Sequence, residues 1–209
     1  GHTRSYSEGA YELAQAFNHK SVKRPVLNGE PCYEGIGAHD DTGSGRFRAL
    51  DVRKAIWQSL LSGAGIGVTY GAHGLWSWHQ KGMEFGSKDV FDMPFIWSDA
   101  LRFRGSDDAA KAKWIFKNYN LFGLELVDDI LNETDEIRMA ETDDTFAIYT
   151  PYNTNVKIDR DISNYDLTVF ELSPEKTGKP AVEVKSGESI VKMGRFNTDR
   201  LIIGENIKH

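Results

Sequence analysis

The stretch Lys23-Arg24-Pro25-Val26-Leu27-Asn28-Gly29-Glu30-Pro31-Cys32-Tyr33-Glu34-Gly35 decides how this chain is read. A short apolar run begins at Pro25 and is stopped by Gly29 and Pro31, the pattern of a strand buried on both faces. Downstream, a Gly- and Asp-rich loop from Gly35 to Gly45 leads to Asp51. Val52, Ala55, Ile56, Ser59 and Leu60 then recur at helical spacing, and Gly63 closes the helix. Ile66 to Tyr70 reads as a second buried strand. Strand, loop, helix and strand in that order imply parallel pairing. Upstream, Ser5 and Glu8 have capping-box spacing, and Tyr6, Ala10, Leu13, Ala14 and Phe17 predict a helix ending near His19. Further helices are expected over 94–103 and 107–119.

From about Ile137 the grammar changes to short runs: Thr145 to Thr150, Val156 to Ile158, Leu167 to Leu172, Ile190 to Met193 and Leu201 to Ile203. Their spacing and turn residues suit a small all-β sandwich with its own core. The polar segment Asn132 to Asp135 sets the expected boundary, giving an α/β part over 1–131 and a sandwich over 132–209.

The 209 residues and 40% hydrophobic content suffice for a buried core. A net charge of −6 leaves no basic field for nucleic acid or anionic lipid, so neither is expected as a partner. The single cysteine, Cys32, excludes an internal disulfide and a multi-cysteine zinc site. No run approaches the roughly 18 apolar residues of a membrane span, and no basic-then-apolar leader pattern is visible.

Three groups of residues have chemistry to offer. Glu30 and Glu34 flank Pro31-Cys32-Tyr33 at the end of the first strand, where the reacting groups of an α/β barrel project. On an extended chain positions i and i+4 share a face, so the two carboxylates are expected in one cleft. The plainer alternative pairs them with neighbouring loops or with Arg46, Arg48 or Arg53. Tyr70, His73, Trp76, Trp78 and His79 follow the second strand, where aromatics suit stacking on pyranose faces and Tyr or His suits hydrogen bonding to hydroxyls. Against that, Trp76 or Trp78 could close the base of the core. His73 and His79 lack a third ligand for a metal. Asp40, Asp41, Asp143 and Asp144 lack the calcium-loop pattern and read as solvated turns. Gly63 to Gly67 precedes a strand and so is no phosphate cradle. Cys32 as nucleophile would need an adjacent base. No metal or cofactor is expected.

The stretch Lys23 to Gly35 resembles the seventh-strand segment of the apiosidase-like glycoside hydrolases. Asp51-Val52-Arg53-Lys54 and Gly67-Val68-Thr69-Tyr70-Gly71-Ala72-His73-Gly74-Leu75-Trp76 resemble that family's last helix and eighth strand. Phe146-Ala147-Ile148-Tyr149-Thr150-Pro151 is similar to the small C-terminal sandwich, named for collagen binding, that follows. The resemblance implies the C-terminal part of a (β/α)8 barrel plus a sandwich, with Gly1-His2 at the end of a sixth strand. It implies hydrolysis of a glycosidic bond in an oligosaccharide or polysaccharide, with Glu30 as nucleophile, Glu34 as fallback, and Tyr33, Tyr70, His73, Trp76 and Trp78 contacting sugar. Retaining hydrolysis uses two carboxylates about 5 to 5.5 Å apart, so the general acid/base is expected outside this chain. The missing N-terminal barrel segment is expected as a second chain, or an oligomer in its place. Secretion or a periplasmic site follows by family analogy, with the cytoplasm left open. The alternative is a non-catalytic carbohydrate-binding or interaction module. A metalloprotease reading fails for want of His-Glu-x-x-His.

Overall fold

The computed structural model describes residues 10–40 and 43–207; the Ser5–Glu8 pair, Gly1-His2 and Asp41 lie outside them. Helix α1 (Glu12–Asn18) ends where expected, with His19 as its C-cap. Strand β1 (Leu27–Asn28) follows, then a hairpin of β2 (Gly37–Asp40) and β3 (Gly43–Arg46) in place of the expected loop. Helix α2 (Ala49–Leu60) starts two residues before Asp51, whose carboxylate accepts the Arg48 backbone N–H at 2.7 Å and so caps the first turn. Next come β4 (Gly67–Val68), the short α3 (Lys88–Phe91) and α4 (Trp97–Ala100), and α5 (Gly105–Asn118). The helix expected over 94–103 is thus a single turn.

β1 and β4 pair in parallel, Leu27 opposite Gly67 and Asn28 opposite Val68, as the strand–helix–strand order predicts. This is the only parallel ladder among the described residues; the remaining sheets are antiparallel. Leu27 and Ile66, beside this pair, are exposed.

The C-terminal strands are β5 (Glu125–Val127), β6 (Arg138–Glu141), β7 (Thr145–Thr150), β8 (Val156–Ile158), β9 (Tyr165–Leu172), β10 (Glu175–Gly178), β11 (Ala181–Lys185), β12 (Glu188–Lys192) and β13 (Arg200–Asn206). They form a six-stranded sheet, in the order β10-β9-β13-β7-β6-β5, and a three-stranded sheet, β11-β12-β8. β10 and β11 escape a hydrophobic-pattern reading because all their residues are exposed.

β7 shows how the layers are built. All six of its residues are buried. Successive side chains of a strand point to opposite faces, and here each face meets a different core. Phe146 and Ile148 join Val156, Ile158, Val191 and Ile202 between the two sheets. Ala147 and Tyr149 join Val52, Ile56, Trp57 and Ile115 of α2 and α5. β13 alternates likewise, Ile202 facing the smaller sheet and Leu201 and Ile203 the helices. The C-terminal strands do have a core of their own between the two sheets, and in addition the six-stranded sheet is a middle layer whose second face is covered by the helical part.

The contacts across that face include buried ions. Arg53 of α2 reaches Asp199 and Asp108, Lys54 reaches Glu136 at 2.8 Å, Gln58 donates to the Glu136 carbonyl at 2.9 Å, and Arg138 donates to Ser62 at 2.9 Å. Unmaking a buried pair by removing one partner is costly, because the other charge is then stranded.

Candidate active site

Glu30 lies just past the end of β1 and is exposed. The Tyr33 hydroxyl donates to its Oε1 at 3.0 Å. Tyr33 packs against Gly71, where an added Cβ would lie 2.5 Å from the ring; glycine at 71 leaves room for the ring whose phenol donates to Glu30. Upstream, Asn28 donates to Ser59 of α2 at 2.9 Å, and the Thr69 hydroxyl bonds the Gly29 carbonyl, so the strand end is tied on both sides.

Glu34 is a different kind of carboxylate. It is 7% exposed. Its backbone extends the parallel pairing, the N–H donating to Gly71 O at 2.9 Å and the carbonyl accepting from His73 N at 2.7 Å. Its Oε2 accepts two hydrogen bonds of 2.8 Å, one from the Tyr70 hydroxyl and one from the backbone N–H of Gly105, the first residue of α5. Burial pushes the carboxyl up from its ordinary value; the two donors pull the other way and do not prevail. The Tyr70 phenol is pushed up in turn by burial and by Glu34.

Glu30 and Glu34 therefore do not share an environment. The chain bends at Gly29 and Pro31, so the extended-strand spacing of i and i+4 does not apply. Arg46 turns its two Nη groups to backbone carbonyls, donating to Gly35 O at 2.6 Å and Met93 O at 2.9 Å. Glu34, Arg46, Phe47, Asp92, Phe95 and Phe103 line a cavity of about 480 Å³.

Beyond β4, His73 is wholly buried, its Nε2 3.0 Å from the Asp92 carbonyl and its ring between Trp76 at 5.5 Å and Phe85 at 5.4 Å. Burial lowers its pKa. His73 is thus packed among aromatic rings with no exposed surface in this structure. Tyr70 is likewise turned to Glu34. Trp76 and Trp78 are 51% and 55% exposed, so neither closes the core. Trp78, in a left-handed backbone conformation with φ 49°, stacks nearly parallel on Trp97 at 4.6 Å. Cys32 is buried, and burial pushes its thiol up to about 12, which removes it as a nucleophile. Among the described residues no group of three or more His, Cys, Asp or Glu could hold a metal.

Sequence reasoning missed Gly105 and Trp97. Each lies far along the chain from its partner, and no spacing rule links Gly105 to Glu34 or Trp97 to Trp78.

Comparison with known proteins gives consistent relatives. A family model described as the apiosidase-like catalytic domain matches residues 1–123. A solved structure titled a glycoside hydrolase is 18% identical with a TM-score of 0.76, covering 94% of this chain and 45% of its own. A glycoside hydrolase family 5 structure from Bacteroides vulgatus ATCC 8482 is 19% identical with a TM-score of 0.76 and the same coverage of 94% and 45%. The chain therefore spans about half the length of these structures, and at such identity the likeness is one of fold. No curated protein matches the chain by sequence.

Proposed function

This chain belongs to the apiosidase-like family, and from that premise we propose that it is part of a glycoside hydrolase acting on an oligosaccharide or polysaccharide, with Glu30 as the nucleophile. The observation that carries the proposal is the contrast between the two carboxylates. Glu30 is exposed at the end of a parallel strand, where the Tyr33 hydroxyl donates to it. Glu34 is buried with one oxygen doubly engaged. A nucleophile must reach the anomeric carbon while ionised; Glu30 has the access that Glu34 lacks. Tyr33 orients it. Glu34 holds the wall of the adjoining cavity and Tyr70 secures Glu34, while exposed Trp76 and Trp78 offer faces for pyranose stacking.

The architecture belongs to the same proposal. β1 and β4 are neighbouring strands of a (β/α)8 barrel, and residues 132–209 form the appended sandwich, with 1–131 as the hydrolase part. Exposed Phe17 and Val22 line a cavity with Leu27 of the two-stranded pair, and Ile66 is exposed just before β4, and the remaining barrel strands, in a second chain or another stretch of the same enzyme, would cover them and supply the general acid/base. The alternative, a non-catalytic carbohydrate-binding module, draws on the exposed tryptophans alone.

Hydrolysis of aryl glycosides and glycan fragments by the enzyme with its barrel completed separates the two. Glu30→Gln is expected to lower kcat by roughly 10⁴-fold with substrate affinity kept, since it removes the attacking oxygen and leaves the shape. Turnover undiminished in Glu30→Gln would refute the assignment. Glycan binding with no turnover in the parent enzyme would favour the module.

A further inference from the structure

The buried charges that fasten α2 to the sheet also reach the candidate site. Asp199, immediately before β13, is wholly buried. Its carboxylate takes Arg53 side-on, Nε donating to Oδ2 at 2.8 Å and Nη2 to Oδ1 at 2.6 Å, while the Tyr149 hydroxyl donates to Oδ2 at 2.8 Å. Arg53 turns its remaining nitrogen, Nη1, to Asp108 Oδ2 at 2.9 Å. Asp108 sits in the first turn of α5, three residues after Gly105, whose N–H binds Glu34. A continuous path of hydrogen bonds and one helical turn therefore joins the C-terminal sheet to the carboxylate on the cavity wall.

Two features make that path stiff. The Arg53–carboxylate contact is bidentate and charge-assisted, so it fixes orientation as well as distance. Its other end has no slack: a Cβ on Gly105 would lie 2.4 Å from Glu34 Oε2 and 2.8 Å from the Tyr70 ring. A shift of the α5 start by a fraction of an ångström is consequently felt at Glu34 at once.

We propose that Asp199, contributed by the C-terminal sheet, is a positioning residue for Glu34, acting through Arg53 and Asp108 to hold the first turn of α5 where the Gly105 amide meets the carboxylate. The sheet layer is then part of the site's construction and not only an appended unit. The inference rests on Glu34 belonging to the site, but its test needs no turnover. The charged and titratable groups around Glu34 are Tyr70, Asp108, Asp51 and Cys32, with Arg46, Arg48 and Asp92 on the cavity it lines, and the test leaves all of them in place.

Asp199→Asn keeps the shape and removes the charge. In the full chain, amide exchange at Gly105 should quicken by about tenfold or more, and the Glu34 carboxyl, followed by carbon NMR, should titrate higher as it loses a donor. Tyr149→Phe, which removes one donor to Asp199, should move both readouts the same way by less, and it decides the matter if Asp199→Asn does not fold. Lys54→Met serves as the control. It removes a different link between α2 and the Glu136 segment, at 2.8 Å, without touching α5, so it should lower stability and leave Gly105 exchange unmoved, with Glu34 titration shifted only as far as the Lys54 charge acts through Asp51. A folded Asp199→Asn or Tyr149→Phe with Gly105 exchange and Glu34 titration as in the parent would overturn the proposal, as would equal shifts in Lys54→Met. Loss of turnover is a separate matter: if Glu34→Gln hydrolyses normally, Glu34 leaves the site while the exchange and titration results still judge the path.

Discussion

Glu34 has a carboxyl that burial raises from its ordinary value of 4.5, and this fixes the sign of its linkage to stability. The folded state holds the proton more tightly than the unfolded one, so the group's contribution is fully present below 4.5 and is lost as pH rises through the folded value. Denaturant unfolding of the parent and Glu34→Gln across a pH series should therefore show the parent losing stability relative to the variant above 4.5. A constant gap would contradict this. His73 has the opposite sign: burial lowers it from 6.5, so its contribution is present above 6.5 and is lost as pH falls through the folded value. Gly105 offers a reversal of the usual rule. Glycine to alanine inside a helix ordinarily stabilises, but the Cβ here would lie 2.4 Å from Glu34 Oε2. Gly105→Ala should lower stability by about 1 to 3 kcal/mol, seen as a fall in Tm.

Among the secondary-structure elements, β13 carries the most informative pair. Leu201 and Ile202 are adjacent and both wholly buried, yet Leu201 packs toward the helices and Ile202 between the sheets. A sheet with one solvated face would tolerate Leu201→Ala almost freely. A middle layer does not: Leu201→Ala and Ile202→Ala should each cost about 2 to 5 kcal/mol in chemical unfolding. A cost well under 1 kcal/mol at Leu201 alone would restore the picture of a sheet unit with one core. The same logic explains why Thr145 to Thr150 reads as continuous apolar sequence and not as an alternating strand.

For the whole molecule, the shared core and the Arg53–Asp199 link imply joint unfolding of helices and sheets. All five tryptophans, Trp57, Trp76, Trp78, Trp97 and Trp114, lie in the helical part, so tryptophan fluorescence reports that part alone. Amide exchange at Ile202 reports the sheet. The two should give one coincident transition in denaturant; a sheet that outlasts the fluorescence change would mean that it folds independently.

Local pattern in the sequence was enough for the elements whose apolar residues recur at a fixed period. It placed α2, α5, β7 and β8 closely, paired β1 with β4, and marked the Glu30 to Glu34 segment, because periodicity and Gly or Pro stops act within a few residues. It missed β10 and β11, which bury nothing, and it put Glu30 and Glu34 in one environment by carrying extended-strand spacing across the Gly29 and Pro31 stops, where the chain bends. The tertiary structure alone decided that Asp199 meets Arg53 from 146 residues away, that Gly105 meets Glu34 from 71 residues away, and that His73 is buried while its neighbour Trp76 is exposed. Such contacts arise when packed layers bring distant segments together, and a hydrogen bond between them leaves no periodic trace in either segment.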